Sequence, residues 1–220
     1  SWNVSKVTNM YRMFQSASAF NVDISNWDVS SVTNMADMFH DAGSFNLSIN
    51  SWNVSRVTTL AYMFEGSAFN SDISAWNVSN VSDMMRMFYH NTAFNTNIGS
   101  WTVSKVTNMV GMFNGANKFN QDIGDWNVES VTSMGAMFKE ASIFDQSLSG
   151  WNVSKVTYMG DMFQFASAFN VDISNWDVSS VTSMNEMFNG AQSFNQPLNN
   201  WDVSSVTNMF IMFADARTFN

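Results

Sequence analysis

Hydrophobic residues recur along the chain with a period of about 25 residues. Every Trp falls on one lattice of constant spacing, except that the step from Trp52 to Trp76 is one residue shorter than the others. The nine positions are Trp2, Trp27, Trp52, Trp76, Trp101, Trp126, Trp151, Trp176 and Trp201. A fixed period of this size is typical of repeat proteins, in which each unit buries its apolar face against its neighbours. The pattern therefore predicts nine stacked rungs.

Within each unit, the spacing of apolar residues predicts two elements. The unit reads W-x-V-S-x-V-T-x-M-x-x-M-F-x-x-A-x-x-F-N-x-x-I-x-x. In the second unit Trp27 and Val29 alternate and are followed by polar Ser30, which is typical of a short strand with one face inward. The apolar positions between residues 35 and 42 recur at steps of three, one and three, which indicates a helical turn. Thr33 is placed to act as the N-cap of that turn.

These elements define the predicted fold class. We expect an α/β fold, a leucine-rich-repeat-like solenoid of nine repeats of ~25 residues, each with one short parallel β-strand and one short helical turn. The repeat fills residues 1–220 as a single domain. Because neither end carries the polar cap that terminal repeats normally need, we expect the chain to be a fragment of a longer repeat array.

Two other features of the unit bear on local structure. The segment between Phe64 and Phe69 is one residue shorter than its equivalents, which predicts a loop that tolerates deletion. Polar residues in the returning segment, such as Asn21, Asp23 and Asn26, are expected to bond the backbone of turns.

Composition excludes several classes of partner. The chain has 18 acidic and 9 basic residues, a net charge of -9, and no run of Lys or Arg. A surface that binds a nucleic-acid backbone needs such a basic patch, so no nucleic acid is expected as a partner. No stretch of about 18 apolar residues exists, which predicts no membrane insertion within this segment.

Residues that could hold a metal or cofactor have simpler roles in the core or in turns. Seventeen of the 18 Met occupy the two Met positions of the unit, which favours core packing over a copper site because only His40 and His90 could assist. The Trp lattice shares a face with buried Val and is predicted to be core rather than a stacking platform. Repeated Asp residues such as Asp23 and Asp28 are expected to bond turns rather than calcium. We predict no metal site and no cofactor.

Sequence motifs for catalysis are absent. The chain has no Cys, no H-E-x-x-H, no phosphate-binding glycine loop and no Ser-His-Asp order. Two His give little material for acid-base catalysis. We therefore predict that the protein is not an enzyme.

The positions at which the repeats differ are the candidates for binding a ligand. The two residues between the Met pair, and the two after the Met-Phe pair, vary freely from unit to unit. Core packing does not constrain them, so a partner-specific surface would be drawn from them. The residues predicted to bind a ligand are Tyr11, Arg12, Tyr62, Arg86 and Tyr89.

The run V-T-x-M-x-x-M-F-x-x-A-x-x-F, as in VTNMADMFHDAGSF from Val32, carries a resemblance. It is similar to the repeat of the BspA-like leucine-rich-repeat surface proteins, in which V-T-x-I-x-x-x-A-F-x-x-C-x-x-L occupies the same place. The Met- and Trp-rich version resembles a repeat of unknown function in mycoplasmal and other microbial surface proteins. The resemblance implies an extracellular or cell-surface location and a role in adhesion, without naming a ligand.

Three functional hypotheses remain open at the level of sequence. The first is a non-enzymatic extracellular module that presents an extended surface for adhesion or protein binding, with a host or matrix protein or a glycan as partner. The alternative is a structural subunit of a fibre or surface layer, which binds further copies of itself end to end through uncapped repeats that include Trp2 and Phe219. The third is a surface for a small ligand such as a glycan, calcium or ice.

Overall fold

The fold is a stack of nine rungs built almost entirely from turns. A computed structural model describes residues 2–220, and in these residues there is no α-helix and no extended strand. Regular pairing is limited to isolated parallel bridges between neighbouring rungs, one residue per rung. The bridged residues are Asn9, Asn34, Thr59, Asp83, Asn108, Ser133, Tyr158, Ser183 and Asn208. The predicted α/β class, with its leucine-rich-repeat solenoid of strands and helical turns, is therefore wrong.

Each rung is a succession of tight turns closed by bonds from an amide to the carbonyl three residues earlier. In the second rung the turn at Val29 is closed by Val32, and the turn at Met35 is closed by Met38. The segment predicted as a helical turn contains three such turns, the last from Phe39 to Ala42. The apolar spacing of three, one and three is thus produced by linked turns, which bring the same side chains inward as a helix would.

Backbone bonds between rungs hold the stack together. In each of the first eight rungs four amides, at alternate residues, donate to carbonyls of the following rung, as Met10 does to Asn34 and Phe14 does to Met38. One amide runs in the opposite direction, from Thr33 to the carbonyl of Thr8. Every second peptide group therefore points along the stack, while the peptides between them close turns within the rung.

Left-handed residues make this alternation possible. Each rung has two residues with positive φ, and in the second rung these are Asp37 at 55° and Asp41 at 56°. A left-handed residue at the third position of a turn reverses the following peptide plane. Most of these residues are not glycine, so each stores about 1 to 2 kcal/mol of backbone strain. The hydrogen bonds between rungs must offset that cost.

The core is a set of apolar columns, as the sequence predicts. The two Phe of a rung lie in contact, with centroids 4.2 Å apart for Phe39 and Phe45, and Phe39 stacks on Phe64 of the next rung at 5.7 Å. Met of the inner rungs, such as Met134, are fully buried. The Trp from Trp52 to Trp201 are buried too, which confirms their assignment to the core.

Each buried Trp also makes one polar bond that ties two rungs together. The indole Nε1 of Trp126 donates to the carbonyl of Ile98 at 3.2 Å, and the same bond recurs from Trp52 to Trp201. Because a buried indole N–H and a buried carbonyl each need a partner, this bond gives a physical reason for Trp at every repeat.

The Thr and Asn columns bond between rungs, not within them. The hydroxyl of Thr33 donates to the carbonyl of Thr8, so the predicted role of Thr33 as a helix N-cap is wrong. Along another edge, the amide of Asn95 donates to Oδ1 of Asn70, and this ladder of Asn, with Asp145 in the sixth rung, runs from the second rung to the ninth. The sequence predicted that Asn of the returning segment bond turn backbone; the backbone amides that they bind belong to the next rung.

Two buried polar residues form hydrogen bonds around the site of the missing residue in the third rung. Ser67 and Asn91 occupy a column that is otherwise Ala. Nδ2 of Asn91 donates to the carbonyl of Phe69 at 2.9 Å, and its Oδ1 accepts the amide of Phe94. Ser67 donates to the carbonyl of Phe64. The deletion therefore lies in a segment without helix or strand, as predicted, and Ser67 and Asn91 bond the backbone of this segment.

Within residues 2–220 the fold contains no helix that is both long and apolar enough to cross a membrane.

Candidate binding surface

The variable residues of the sequence come together on one side of the stack, which we call the turn face. It consists of residues 11, 12, 15 and 16 of the first rung and the equivalent residues of the other rungs. In each pair the second residue is the left-handed one, with φ between 44° and 71°. The backbone groups of these residues hold neighbouring rungs together. Their side chains lie outside the apolar core cluster, although some, such as Asp37, Glu65 and Gln164, are buried. The turn face thus has a fixed backbone and a variable side-chain surface.

Aromatic and basic side chains of the turn face are concentrated in its first four rungs. Three of the four Tyr and both His lie there. These five residues are Tyr11, His40, Tyr62, Tyr89 and His90. The equivalent positions of the fifth rung are Val110, Gly111, Asn114 and Gly115. Tyr, His and Arg of the turn face are therefore concentrated in the first four rungs, while Lys139, Phe165 and Phe210 lie in later rungs.

Tyr11 and Arg12 form the outer part of this region. Tyr11 is 47% exposed. The guanidinium of Arg12 lies 4.8 Å from the centroid of the Tyr11 ring, and its Nε lies 3.9 Å from a carboxylate oxygen of Asp37. At that distance and exposure the ion pair adds little to stability. Both side chains are available to a partner.

Tyr62, Arg86 and Tyr89 form a second group, which the structure brings into one cluster. The guanidinium of Arg86 lies 3.7 Å from the Tyr89 centroid and 5.5 Å from the Tyr62 centroid. Its Nη2 also lies 3.1 Å from Oε1 of Glu65. Arg86 is therefore held from three directions, and all three predicted residues are half-buried rather than fully exposed.

Acidic residues link the two groups, and these were not predicted from sequence. The imidazole Nδ1 of His40 lies 3.0 Å from Asp37, and its Nε2 lies 3.4 Å from Asp41 and 3.8 Å from Glu65. Burial raises the pKa of Glu65 above its ordinary value, although Arg86 and His40 act in the opposite direction. The signal that could have revealed these three acidic residues and His40 is their position, because all of them occupy turn-face positions of the second and third rungs.

Trp2 and Phe219, predicted as assembly residues, lie at opposite ends of the stack. Trp2 is 70% exposed and stacks on Trp27 with centroids 6.2 Å apart. It lines an apolar cavity of about 380 Å³ together with Phe14 and Phe20. Phe219 stacks on Phe213 at 4.2 Å and lines a cavity of about 350 Å³. The structure therefore does not bring these two residues together within one chain.

Repeated Asp residues bond the backbone of their own turns. The amide of Ser25 donates to Asp23 and holds the pKa of that carboxyl below its ordinary value. At Asp28 the hydroxyl and then the amide of Ser30 lower the carboxyl pKa in the same way. These bonds agree with the turn-bonding role predicted for Asp. Within residues 2–220 no three His, Cys, Asp or Glu side chains lie close enough to hold a metal ion together.

Comparison with known protein families supports the repeat organisation and identifies the family of the chain. A family model described as a Mycoplasma protein of unknown function, DUF285, matches residues 1–73, 65–170 and 143–220. The chain belongs to this family. Three overlapping matches cover the whole chain, as expected for a DUF285 unit built from several rungs. No curated protein matches the chain.

Proposed function

We propose that this DUF285 chain is a non-enzymatic extracellular module that binds a protein partner through the first four rungs of its turn face. The observation that carries the proposal is the cluster of Tyr62, Arg86 and Tyr89, which is pre-organised on a surface free of core constraints. Tyr and Arg are the residue types that most often dominate the binding energy of protein interfaces. The resemblance to BspA-like surface proteins supports an extracellular location.

Pre-organisation is the physical advantage of this cluster. A free Arg loses much side-chain freedom when it is fixed in an interface, and this loss weakens binding. Arg86 is already held by Glu65 and by the two Tyr rings, so most of that freedom is lost on folding. Tyr11 and Arg12 extend the same surface with exposed side chains. The carboxylate of Asp37 and the imidazole of His40 lie between the two groups and add polar side chains to the surface.

The test uses residues that the repeat itself accepts at these positions. The fifth rung has Gly111 where the third has Tyr62, and Asn114 where the fourth has Tyr89. A Tyr62→Gly, Tyr89→Asn variant should fold, because the repeat accepts both residues at these positions and Gly relieves the positive φ of 60° at Tyr62; circular dichroism checks this. The native chain is first screened against an array of purified extracellular-matrix proteins. For the protein that the native chain binds, we expect the variant to lose at least about tenfold in affinity.

A matched control is Phe165→Ala, which removes a 47%-exposed aromatic ring from the turn face of the seventh rung. It should bind as the native chain does. If no matrix protein is bound, or if both variants lose affinity equally, the proposed surface is wrong. The alternative of end-to-end assembly through Trp2 and Phe219 predicts instead that the mass measured by light scattering grows with concentration.

A further inference from the structure

A second surface of the stack carries four cations, one in every second rung of the first seven. Lys6, Arg56, Lys105 and Lys155 occupy one position of the repeat in rungs one, three, five and seven. In the even rungs the same position holds Ser31, Asn80, Ser130 and Ser180. We call the four basic residues the cation row. Since paired backbones lie about 4.8 Å apart, successive cations in the row are separated by roughly 10 Å.

Within residues 2–220 no residue of the cation row has a carboxylate partner, and what separates the row from Lys118 and Arg217, which also lack one, is its alignment at every second rung. All four side chains are exposed. Within the described residues, the Arg and Lys that form ion pairs are Arg12, Arg86 and Lys139, and none of them belongs to the row. The chain has an excess of acidic residues and a net charge of -9, yet these four exposed cations form no ion pair with any of them. Their arrangement indicates an anionic partner outside the chain.

The backbone beneath the row is rigid, so its spacing is fixed. Lys105 lies in the turn from Val103 to Val106, both of which are buried. The next rung is tied to this turn by Ser130, whose hydroxyl donates to the carbonyl of Ser104 at 2.7 Å. Nζ of Lys105 donates to Asn80 in the preceding rung, which orients the ammonium group along the stack. The row is therefore a charged line of constant period on a hydroxyl- and amide-rich surface.

We propose that the cation row binds a linear acidic polysaccharide that carries one carboxylate or sulfate per disaccharide. An extended chain of this kind presents anions at wide, regular intervals, with neutral sugar hydroxyls between them. The Ser hydroxyls of the even rungs donate to backbone carbonyls of the preceding rung, so their oxygens can accept hydrogen bonds from those sugar hydroxyls. Phosphates of duplex DNA follow one another at about 3.4 Å along each strand, far closer than the cations of the row. The proposal does not depend on the turn face or its protein partner.

Acidic residues close to the row modify this surface. Asp28 is turned onto Ser30 of its own rung and does not pair with the row. Asp177 accepts from the amide and hydroxyl of Ser179, and Asp202 accepts from the amide of Ser204, both in the last two rungs beyond the cations. Glu129, in the sixth rung, lies on an exposed position between the rungs of Lys105 and Lys155. Its carboxylate should repel an acidic polysaccharide. Neutralising Glu129 is therefore expected to increase the affinity of the chain for that polysaccharide.

The first test is titration of the full chain with a hyaluronan oligosaccharide, which has one carboxylate per disaccharide, at low ionic strength. Lys105→Ser copies the residue of the next rung and should fold normally. We expect it to weaken binding roughly fivefold, the effect of one charge pair at about 4 Å in water. Replacing all four cations should abolish binding, and Glu129→Gln should tighten it a few-fold. Added salt should weaken the native chain more than Lys105→Ser.

The matched control is Lys118→Ser, which removes an exposed cation outside the row and introduces the residue found in equivalent rungs at Ser44 and Ser193. It should change the affinity by less than twofold. Equal loss in Lys118→Ser and Lys105→Ser would show that only net charge matters and would overturn the proposal. Binding of uncharged dextran with equal affinity, stronger binding of duplex DNA, or absence of hyaluronan binding at low salt would overturn it too.

Discussion

At the scale of single residues, the left-handed positions decide how a rung is built. They reverse alternate peptide groups, so that half of the backbone bonds point to the neighbouring rung. Glycine fits this conformation without strain, yet the chain places Ala136, Asp161 and Ile211 there. Local backbone preference is therefore overruled by bonds that form only when rungs stack.

This strain predicts that glycine will stabilise the fold at a position without specific side-chain bonds. Ala136 has φ of 53°. Ala136→Gly should raise the free energy of unfolding by about 0.5 to 1 kcal/mol, since relief of a strain of about 1 to 2 kcal/mol exceeds the added entropy of the unfolded chain. Denaturant titration of the native chain and the variant measures the difference.

Ala93 provides the control, because it is similarly exposed but does not have positive φ. Ala93→Gly should lower the free energy of unfolding, since only the entropic cost of glycine applies there. If both variants lower it, the left-handed positions are not strained and our account of the rung is wrong.

At the scale of elements, a rung is a set of turns that adapts to the loss of a residue through buried polar bonds. The third rung keeps its Phe64 and Phe69 in the core although one residue between them is missing. Asn91 supplies the bond to the carbonyl of Phe69 from the next rung. The sequence showed the deletion, but only the structure connects it to Asn91 in the following unit.

This connection predicts that restoring the consensus residue will destabilise the protein. Asn91→Ala introduces the Ala of the repeat formula, yet we expect it to lower the free energy of unfolding by about 1 to 3 kcal/mol, because the buried carbonyl of Phe69 loses its partner. Thermal unfolding gives the difference. Insertion of one residue between Phe64 and Phe69 should rescue the variant. If Asn91→Ala alone raised the free energy of unfolding, Asn91 would not compensate for the missing residue, contrary to this prediction.

At the scale of the whole molecule, each rung contacts its neighbours through the same five backbone bonds and the same Phe and Trp columns. Stability is then a sum of rung and interface contributions, as in other repeat stacks. The turn face and the cation row are consequences of this regularity. Both need several rungs in register before their side chains form a surface.

Regularity predicts that the stack tolerates loss of a whole rung but not of part of one. Deletion of residues 101–125 joins Ser100 to Trp126 and preserves the order of the unit. We expect a folded protein with a cooperative unfolding transition and a smaller denaturant dependence, since less surface is exposed on unfolding. Deletion of residues 101–112 breaks the register of every column, so that variant should be unfolded by circular dichroism and proteolysis. Equal behaviour of the two deletions would contradict the stack.

The sequence by itself determined the period, the number of rungs and the buried residues. A constant repeat spacing places equal side chains on top of one another whatever the backbone conformation between them, so Trp126, Met134 and Phe138 could be assigned to the core without a structure. The same reasoning found the variable positions of the turn face, including Arg86 and Tyr89.

Only the tertiary structure decided the conformation of the rung and the grouping of the turn-face residues. An inward spacing of three, one and three is produced equally by a helical turn and by linked turns with left-handed residues. The choice depends on whether backbone amides bond within the segment or to the next rung, and bonds that span a whole repeat leave no local pattern in the sequence. For the same reason the contact of Arg86 with Glu65, which lie in different rungs, appears only when the rungs stack.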